Sequence, residues 1–546
     1  MTQSSVAATE ITKFQFGLAA RLSVIAVVFL AEKTLLNSLI DFHRPLAMLG
    51  LSNVAWLVHY QGMPFFVVFA AATALLAYMR GPERFMPVDA AIRAARPRVA
   101  WILAHVCIAA SLVPMSHSLY RFGSTPPLLA AFVTLWAALG LVAVASAFLA
   151  MARWPQWLAV SRVLGPIWYY AAVIGLLSCA AIFVSQGLWE ATASVTFSLV
   201  RQLLSPIFHS MYVNPAIREL GTENFTISVA QACSGLEGIG LIIAFTSAWL
   251  FYFRHDYRFP HALLLIPLGA VVIFGLNAVR IALLLLIGNA GYVEIASYGF
   301  HSQAGWITFI AASCGIAIGS QKVRWVCRRA PEATRVATDN PTTAFLLPFI
   351  VLLGVGIVSK ALSGRFETLY PVRLVAGGAA LWLCRPKLAA LNWQWSWRGP
   401  VAGVAVFGFW ILAAHYLLPL RDIPVQLASL PPLARSTWIA SRVFTASLIV
   451  PFIEELAYRG YLMRRLTNEE FAVVPFQRVR YSALIITSIL FGLGHGALWM
   501  PGIVAGLAFG WIAIRQGSIG EAVAAHATCN ALIAACVLEF GQWQLW

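Results

Sequence analysis

Charged residues are scarce in this sequence. Asp, Glu, Lys and Arg make up 11% of its 546 residues, whereas an ordinary soluble domain carries about 25%. Hydrophobic residues make up 60%, and the mean hydropathy is +0.79. These values exclude an ordinary soluble globular protein. About fifteen apolar runs of roughly membrane-spanning length predict an all-α polytopic integral membrane protein.

Among the charged residues, acidic residues are fewer than basic ones. The chain has 21 Asp and Glu against 37 Lys and Arg, which gives a formal net charge of +16. The basic residues stand in short loops between apolar runs, as is typical of cytoplasmic loops of membrane proteins. A nucleic-acid-binding protein would instead gather them on one water-exposed face. We therefore predict membrane lipid as a partner, and no nucleic acid.

Paired cysteines and a compact signal peptide are also lacking. The eight cysteines form no CxxC motif, which argues against a zinc ribbon or a disulfide framework. The first residues, "MTQSSVAATEITKFQF", do not have the charged, apolar and small-residue regions of a secretory signal. We therefore expect the first apolar helix to be retained.

One long polar stretch interrupts the apolar runs. Residues 321–345 combine five basic residues with Pro, Thr, Asp and Asn, a composition typical of a cytoplasmic linker. This stretch predicts two domains, 1–330 and 340–546, each a helical transmembrane bundle. No internal repeat relates the two halves.

Three polar residues of the first half are predicted to reach the same membrane depth. The apolar run after Cys233 ends at Arg254, and the positive-inside rule places that end in the cytoplasm. The next run returns across the bilayer to Arg280, and the run starting at His301 descends again to Lys322. Cys233, Arg280 and His301 should therefore lie together at the outer side.

This set of residues has a chemical logic. A thiolate is a nucleophile, and a helix start or a nearby cation favours it, so Cys233 is a candidate nucleophile. His301 could carry its proton, and Arg280 could stabilise an oxyanion. Ser234 and Asn277 are candidate supporting residues. Taken singly, each residue also fits a structural role at the membrane surface, but their agreement in depth favours a site.

The motifs "ACSGLEG", "NAVRI" and "FHSQAGW" resemble those of exosortases, which are bacterial membrane transpeptidases. The resemblance implies that Cys233 is the nucleophile and that Arg280 and His301 complete the site. It also implies exported protein substrates with a C-terminal signal, made of a short motif, a transmembrane helix and a basic tail. Such an enzyme would cut at the outer face of the membrane and pass the chain to an acceptor, which the sequence does not identify.

A second polar cluster lies in the second half, where "IVPFIEELAYRGYLMRRL" places adjacent glutamates in an apolar helix. Carboxylates inside a membrane are costly and usually functional. Glu455 and Arg459 are four residues apart, so they can pair on one helical face. Glu454 points about 100° away, which leaves it free for chemistry.

Two further helices contribute His495 and the pair His526 and Asn530. Glu454 could act as general base on a water that His495 orients, while His526 and Asn530 donate to the oxyanion. One Glu and two His could instead hold zinc. HExxH is absent and Asn is a poor zinc ligand, so no metal or cofactor is predicted. Polar contacts between helices remain an alternative for each residue.

The motifs "EELAYR", "FGLGH" and "HATCN" resemble EExxxR, FxxxH and HxxxN of the CAAX-prenyl-protease-like (CPBP or Abi) intramembrane endopeptidases. By this resemblance Glu454 activates water, and His495, His526 and Asn530 complete the site. The two resemblances in this order are similar to a fused exosortase E/protease type. This resemblance implies substrates with a Val-Pro-Glu-Ile-Asp-like motif. It also implies a multi-pass protein of the bacterial inner membrane, with the first active site at the periplasmic face. The alternative is a transporter or channel that uses the intramembrane Glu, His and Arg residues.

Overall fold

The computed structural model describes residues 17–39, 49–50, 62–121, 126–230, 233–328 and 340–546. By contacts, the chain divides into two compact units. One comprises Met1–Val184 with Arg480–Ile486, and the other comprises Ser185–Val479 with Thr487–Trp546. Residues 329–339 of the predicted linker lie outside the described residues, so the linker and the split into 1–330 and 340–546 stay predictions.

Helices make up most of both units. The first helices are α1 (Leu18–Leu39), α2 (Gly62–Arg80), α3 (Met86–Ala94), α4 (Val99–Arg121), α5 (Pro126–Met151), α6 (Trp154–Leu164) and α7 (Ile167–Leu204). The helices that carry the first candidate site follow as α8 (Leu236–Tyr252), α9 (Leu265–Asn289) and α10 (His301–Lys322).

The second candidate site is carried by a further set of helices. These are α11 (Pro341–Ala361), α12 (Pro371–Leu388), α13 (Arg398–Leu417), α14 (Val425–Ala428), α15 (Pro432–Phe444), α16 (Val450–Glu455), α17 (Met463–Arg465), α18 (Tyr481–Leu493), α19 (Trp499–Gln516) and α20 (Ile519–Phe540).

Within the described ranges, nine helical segments are long and apolar enough to cross a membrane, or ten if the bent pair of α6 and the start of α7 counts as one span. This confirms a polytopic, mainly helical membrane protein. The count is below the predicted fifteen partly because some apolar helices, such as the 17-residue α8, are too short to meet a spanning length of 18 residues.

A small antiparallel sheet is the exception to the predicted all-α fold. Its strands are β1 (Tyr212–Asn214), β2 (Glu219–Gly221) and β3 (Thr226–Ser228), in the order β1-β2-β3. Leu220 in the central strand is fully buried and packs in the same core as Cys233. Strands of three residues are too short to show a period-two pattern, so the sequence did not reveal them.

The predicted helices around the first site match the structure closely. The apolar run after Cys233 was predicted to end at Arg254, and α8 ends at Tyr252. The predicted descent to Lys322 is α10, which begins at His301 itself. A π-helical turn over Ile295–Phe300 precedes it.

Two π-helical turns flank α16 in the second site, over Thr445–Ile449 and Leu456–Leu462. Pro451 has no N–H to donate and its ring crowds the carbonyl of the preceding turn, which favours a widened turn just before it. Such turns are rare and are frequently found at functional sites.

Candidate active sites

Cys233 lies between β3 and α8. Its backbone N–H donates to the carbonyl of Ala230 at 2.9 Å, and its side chain is buried in a core formed with α7 and α9. Gly235 follows with φ of +87°. A Cβ there would lie 3.0 Å from Nδ2 of Asn277, so glycine permits both the left-handed turn and the close approach of α9.

A chain of hydrogen bonds connects the three predicted segments of the first site. Asn277 Nδ2 donates to the Cys233 carbonyl at 2.9 Å, and Arg280 Nη1 donates to Asn277 Oδ1 at 3.5 Å. Arg280 Nη2 donates to the His301 carbonyl at 2.8 Å. The structure therefore brings Cys233, Arg280 and His301 into one neighbourhood, with Arg280 at its centre and the His301 side chain half-buried.

The resting state of Cys233 differs from the thiolate that the sequence favoured. Burial raises the pKa of the Cys233 thiol above its ordinary value, and the positive charge of Arg280 only partly opposes this. Desolvation disfavours the charged form, and it is the largest influence on this thiol. At neutral pH the sulfur is therefore a neutral thiol that must lose its proton as it reacts.

Alkylation of Cys233 should report this shift. The pH midpoint of its reaction with iodoacetamide is expected above that of a free cysteine, about 8.5. Arg280→Gln should raise it further, because the stabilising charge is lost. Arg254→Gln, at the far end of α8, should leave it unchanged. A midpoint at or below the free-cysteine value would contradict the assignment.

The supporting residues include one that the sequence did not indicate. Thr196 of α7 is fully buried, and its hydroxyl donates to the Ser234 carbonyl at 3.1 Å. The Ser234 hydroxyl accepts from the Leu236 N–H at 3.5 Å, at the start of α8. A threonine within a long apolar helix carries no distinctive signal. Glu237 is exposed and takes no part in these contacts.

In the second site, Glu455 is the centre of a buried network. Its Oε1 accepts from Arg459 Nη1 at 2.9 Å and lies 3.0 Å from His526 Nδ1. Arg459 Nη2 donates to the Gly506 carbonyl at 2.9 Å. The predicted pairing of Glu455 with Arg459 is present, but His526 joins this pair, which helical spacing alone did not indicate.

Glu454 is half-buried and remains free, as predicted. Its Oε2 is buried and has no hydrogen-bond partner among the described residues. Tyr458, one turn along the helix, is within electrostatic range of the carboxylate. A buried carboxylate oxygen without a hydrogen-bond partner costs folding free energy. This is consistent with a group that binds water or a substrate.

The other predicted residues surround this carboxylate helix. His495 Nδ1 lies 2.7 Å from the Phe491 carbonyl, and the ring packs edge-on against Trp410. His526 stacks on Phe509, with ring centroids 4.9 Å apart. Asn530 Nδ2 donates to the Ala446 carbonyl at 2.8 Å, which uses one of its two N–H groups.

A zinc site here would need His495 and His526 as ligands together with a glutamate. The Nδ1 atoms of His495 and His526 are both engaged by protein oxygens. Over the described ranges, no group of three or more His, Cys, Asp and Glu side chains has the arrangement of a metal site.

Loss of the Glu455 charge should destabilise the fold. Glu455→Gln would leave the buried Arg459 cation uncompensated, at a cost of about 3–5 kcal/mol. Thermal unfolding in detergent should show this as a clear fall in melting temperature. The double variant Glu455→Gln/Arg459→Met should recover part of the loss. The control is Glu539→Gln, which removes a charge at an exposed position of α20. Equal melting temperatures of Glu455→Gln and Glu539→Gln would refute the buried ion pair of Glu455 and Arg459.

The segment that carries His301 touches the loop after α11. Gly299 faces this loop so closely that an added Cβ would overlap the Ser363 carbonyl oxygen and lie 2.6 Å from the Lys360 carbonyl oxygen. Arg365 stacks over the Tyr298 ring at 4.3 Å and donates to its hydroxyl. The position of His301 therefore depends on residues that belong to the second half of the chain.

Gly299→Ala should lower the activity of the first site. The methyl group must displace the π-helical turn before His301, and a shift of about 1 Å can cost up to about a hundredfold in rate. Gly315→Ala in α10 is the control, because a Cβ there meets nothing within 4 Å. Equal rates in the two variants would show that this contact does not position His301.

Comparison with known families divides the chain into two regions. Residues 56–318 match the family described as transmembrane exosortase (Exosortase_EpsH), and residues 436–532 match type II CAAX prenyl endopeptidase Rce1-like. UPF0177 protein YxdF of Lactococcus lactis subsp. lactis (strain IL1403) is 24% identical over 132 residues, which cover 22% of this chain and 68% of that protein. No solved structure matches the chain.

Proposed function

Because the chain joins an exosortase region to a CAAX-protease-like region, we propose that it is a bifunctional membrane peptidase. The first site cleaves C-terminal sorting signals of exported proteins and transfers the remaining chain. The second hydrolyses a peptide bond inside the membrane. The observation that supports this most directly is the convergence of Cys233, Arg280 and His301 through hydrogen bonds of Arg280 and Asn277.

In the first reaction, Cys233 Sγ attacks the scissile carbonyl carbon while its proton passes to the His301 imidazole. Arg280 stabilises the oxyanion that forms. When the C–N bond breaks, His301 returns the proton to the leaving amine, and a thioester on Cys233 remains. An acceptor nucleophile then attacks the thioester carbonyl and releases the thiol. The neutral resting thiol fits this sequence, since proton transfer accompanies attack.

The hydrogen bonds of the site favour these roles. Arg280 is held by Asn277 and by the His301 carbonyl, so its position is fixed before substrate binds. A preorganised cation needs no rearrangement as charge develops in the transition state. Asn277 also holds the Cys233 backbone, which makes it a positioning residue.

In the second reaction, Glu454 takes a proton from water, and the resulting hydroxide attacks the substrate carbonyl. His495 orients the water, while His526 and the second N–H of Asn530 donate to the oxyanion. The tetrahedral adduct collapses as Glu454 gives the proton to the leaving amine. Glu455 and Arg459 act as positioning residues, because Glu455 fixes the ring of His526.

The substrate and location follow from the family resemblance. We place the protein in the bacterial inner membrane with the first site facing the periplasm, in line with the basic ends of α8 and α10 in the cytoplasm. The substrates of the first site carry a Val-Pro-Glu-Ile-Asp-like motif, a transmembrane helix and a basic tail. The acceptor is water or a cell-surface molecule.

Co-expression tests this function. A reporter with such a C-terminal signal is expressed with the full chain in a host that does not process it. Appearance of a shortened reporter, cut next to the motif, is the expected result. The full chain must be expressed at a normal level and inserted in the membrane. If the reporter then still keeps its tail, the result would argue against the first activity.

A further inference from the structure

A cavity of about 600 Å³ opens beside the end of α8. Its apolar wall includes Leu250 and Phe251 from α8 and Leu263 and Ile266 from the start of the next span. Leu250 is buried, whereas Phe251 and Leu263 are exposed. The wall is therefore an apolar groove between two helices, with exposed side chains along it.

Three basic side chains line the same cavity at its polar end. Arg254 and His255 come directly after α8, and Arg328 comes from the segment after α10. None of the three forms an ion pair with any residue that the structure describes. No acidic side chain lines the cavity within those residues. Arg254 Nη1 donates to the Phe251 carbonyl at 3.2 Å, but neither arginine has a carboxylate partner. Two such guanidinium groups beside an apolar groove call for an occupant that is anionic at one end.

The polar end of the cavity is held by hydrogen bonds between the two segments. The Arg328 N–H donates to the Asp256 carbonyl and the Arg258 N–H to the Val326 carbonyl, both at 2.8 Å. Below them, the hydroxyls of Tyr257 and Ser320 are 2.7 Å apart. Arg254 and Arg328 therefore project from a fixed frame rather than from a free loop.

We propose that this cavity binds an anionic phospholipid. Arg254, His255 and Arg328 hold the headgroup phosphate by charge-assisted hydrogen bonds, and one acyl chain lies along Phe251 and Leu263. Basic pockets between transmembrane helices are known to select anionic headgroups. A basic substrate tail would be repelled here, and a free phosphate would leave the apolar groove empty.

Native mass spectrometry of the full chain in neutral detergent tests the site, with phosphatidylglycerol as the probe and phosphatidylcholine for comparison. Arg254→Gln/Arg328→Gln should weaken phosphatidylglycerol binding at least about tenfold, since two of the three phosphate partners are lost. Lys322→Gln/Arg324→Gln removes the same charge nearby but outside the cavity, and should change binding less than about twofold. Ser247→Trp, which fills the cavity without altering charge, should also abolish binding.

Three results would overturn the proposal. Equal losses in the two double variants would mean diffuse charge attraction. Phosphatidylcholine binding as tightly as phosphatidylglycerol would mean an apolar groove alone, and displacement by inorganic phosphate would mean a soluble anion site. Because the readout is lipid binding, these outcomes are independent of whether the chain acts as a peptidase.

Discussion

Cys233→Ser is expected to abolish removal of the C-terminal tail from a signal-bearing reporter. Loss of an essential nucleophile costs at least about a thousandfold in rate. Serine keeps the size and the turn before α8, but its hydroxyl is far less readily deprotonated than a thiol. The tail-bearing and shortened reporters are measured by immunoblot and by mass spectrometry of intact protein.

The control for this substitution is Cys384→Ser, which changes another buried, unpaired cysteine. It should leave tail removal near the wild-type rate. Both variants should insert in the membrane at wild-type levels. Tail removal by the Cys233→Ser protein at the normal rate would eliminate the proposed nucleophile.

Glu454→Gln is expected to abolish proteolysis by the second site. Glutamine keeps the shape of the side chain but cannot take a proton from water, and general-base catalysis contributes about a hundredfold to ten-thousandfold. Since Oε2 has no partner among the described residues, the fold should tolerate the change. Cleavage of a transmembrane reporter peptide by the purified chain gives the rate.

Testing each of the two active-site variants in both assays separates the two activities. Glu454→Gln should leave tail removal intact, and Cys233→Ser should leave cleavage of the transmembrane peptide intact. Glu455→Gln provides the contrast within the second site, because its main effect should be lost stability. If Glu454→Gln retains full proteolysis, the carboxylate is not the base.

The helices of the first site were predictable from elementary rules. Apolar length and basic ends placed α8 and α10 within a residue or two of their observed bounds, because the bilayer fixes the length of a span. The same reasoning placed Cys233, Arg280 and His301 at one depth. In the second site, the four-residue spacing of Glu455 and Arg459 was enough to predict their pairing.

Contacts between distant segments were not predictable. His526 reaches Glu455 from a helix 71 residues away, and nothing in its own spacing indicates which glutamate it meets. The thiol state of Cys233 depends on how deeply the core around β2 buries it, and that sheet has no sequence pattern. Thr196 and the close approach of Gly299 to Ser363 likewise require tertiary packing.

The most direct test of the central claim is to trap the covalent intermediate. The detergent-solubilised full chain is reacted with a peptide that carries the sorting motif, quenched with acid and digested for mass spectrometry. A thioester that joins the motif's acyl part to Cys233, absent in the Cys233→Ser protein, is the predicted result. An adduct on a different residue, or turnover of the peptide without any adduct on Cys233 under rapid quenching, would contradict it.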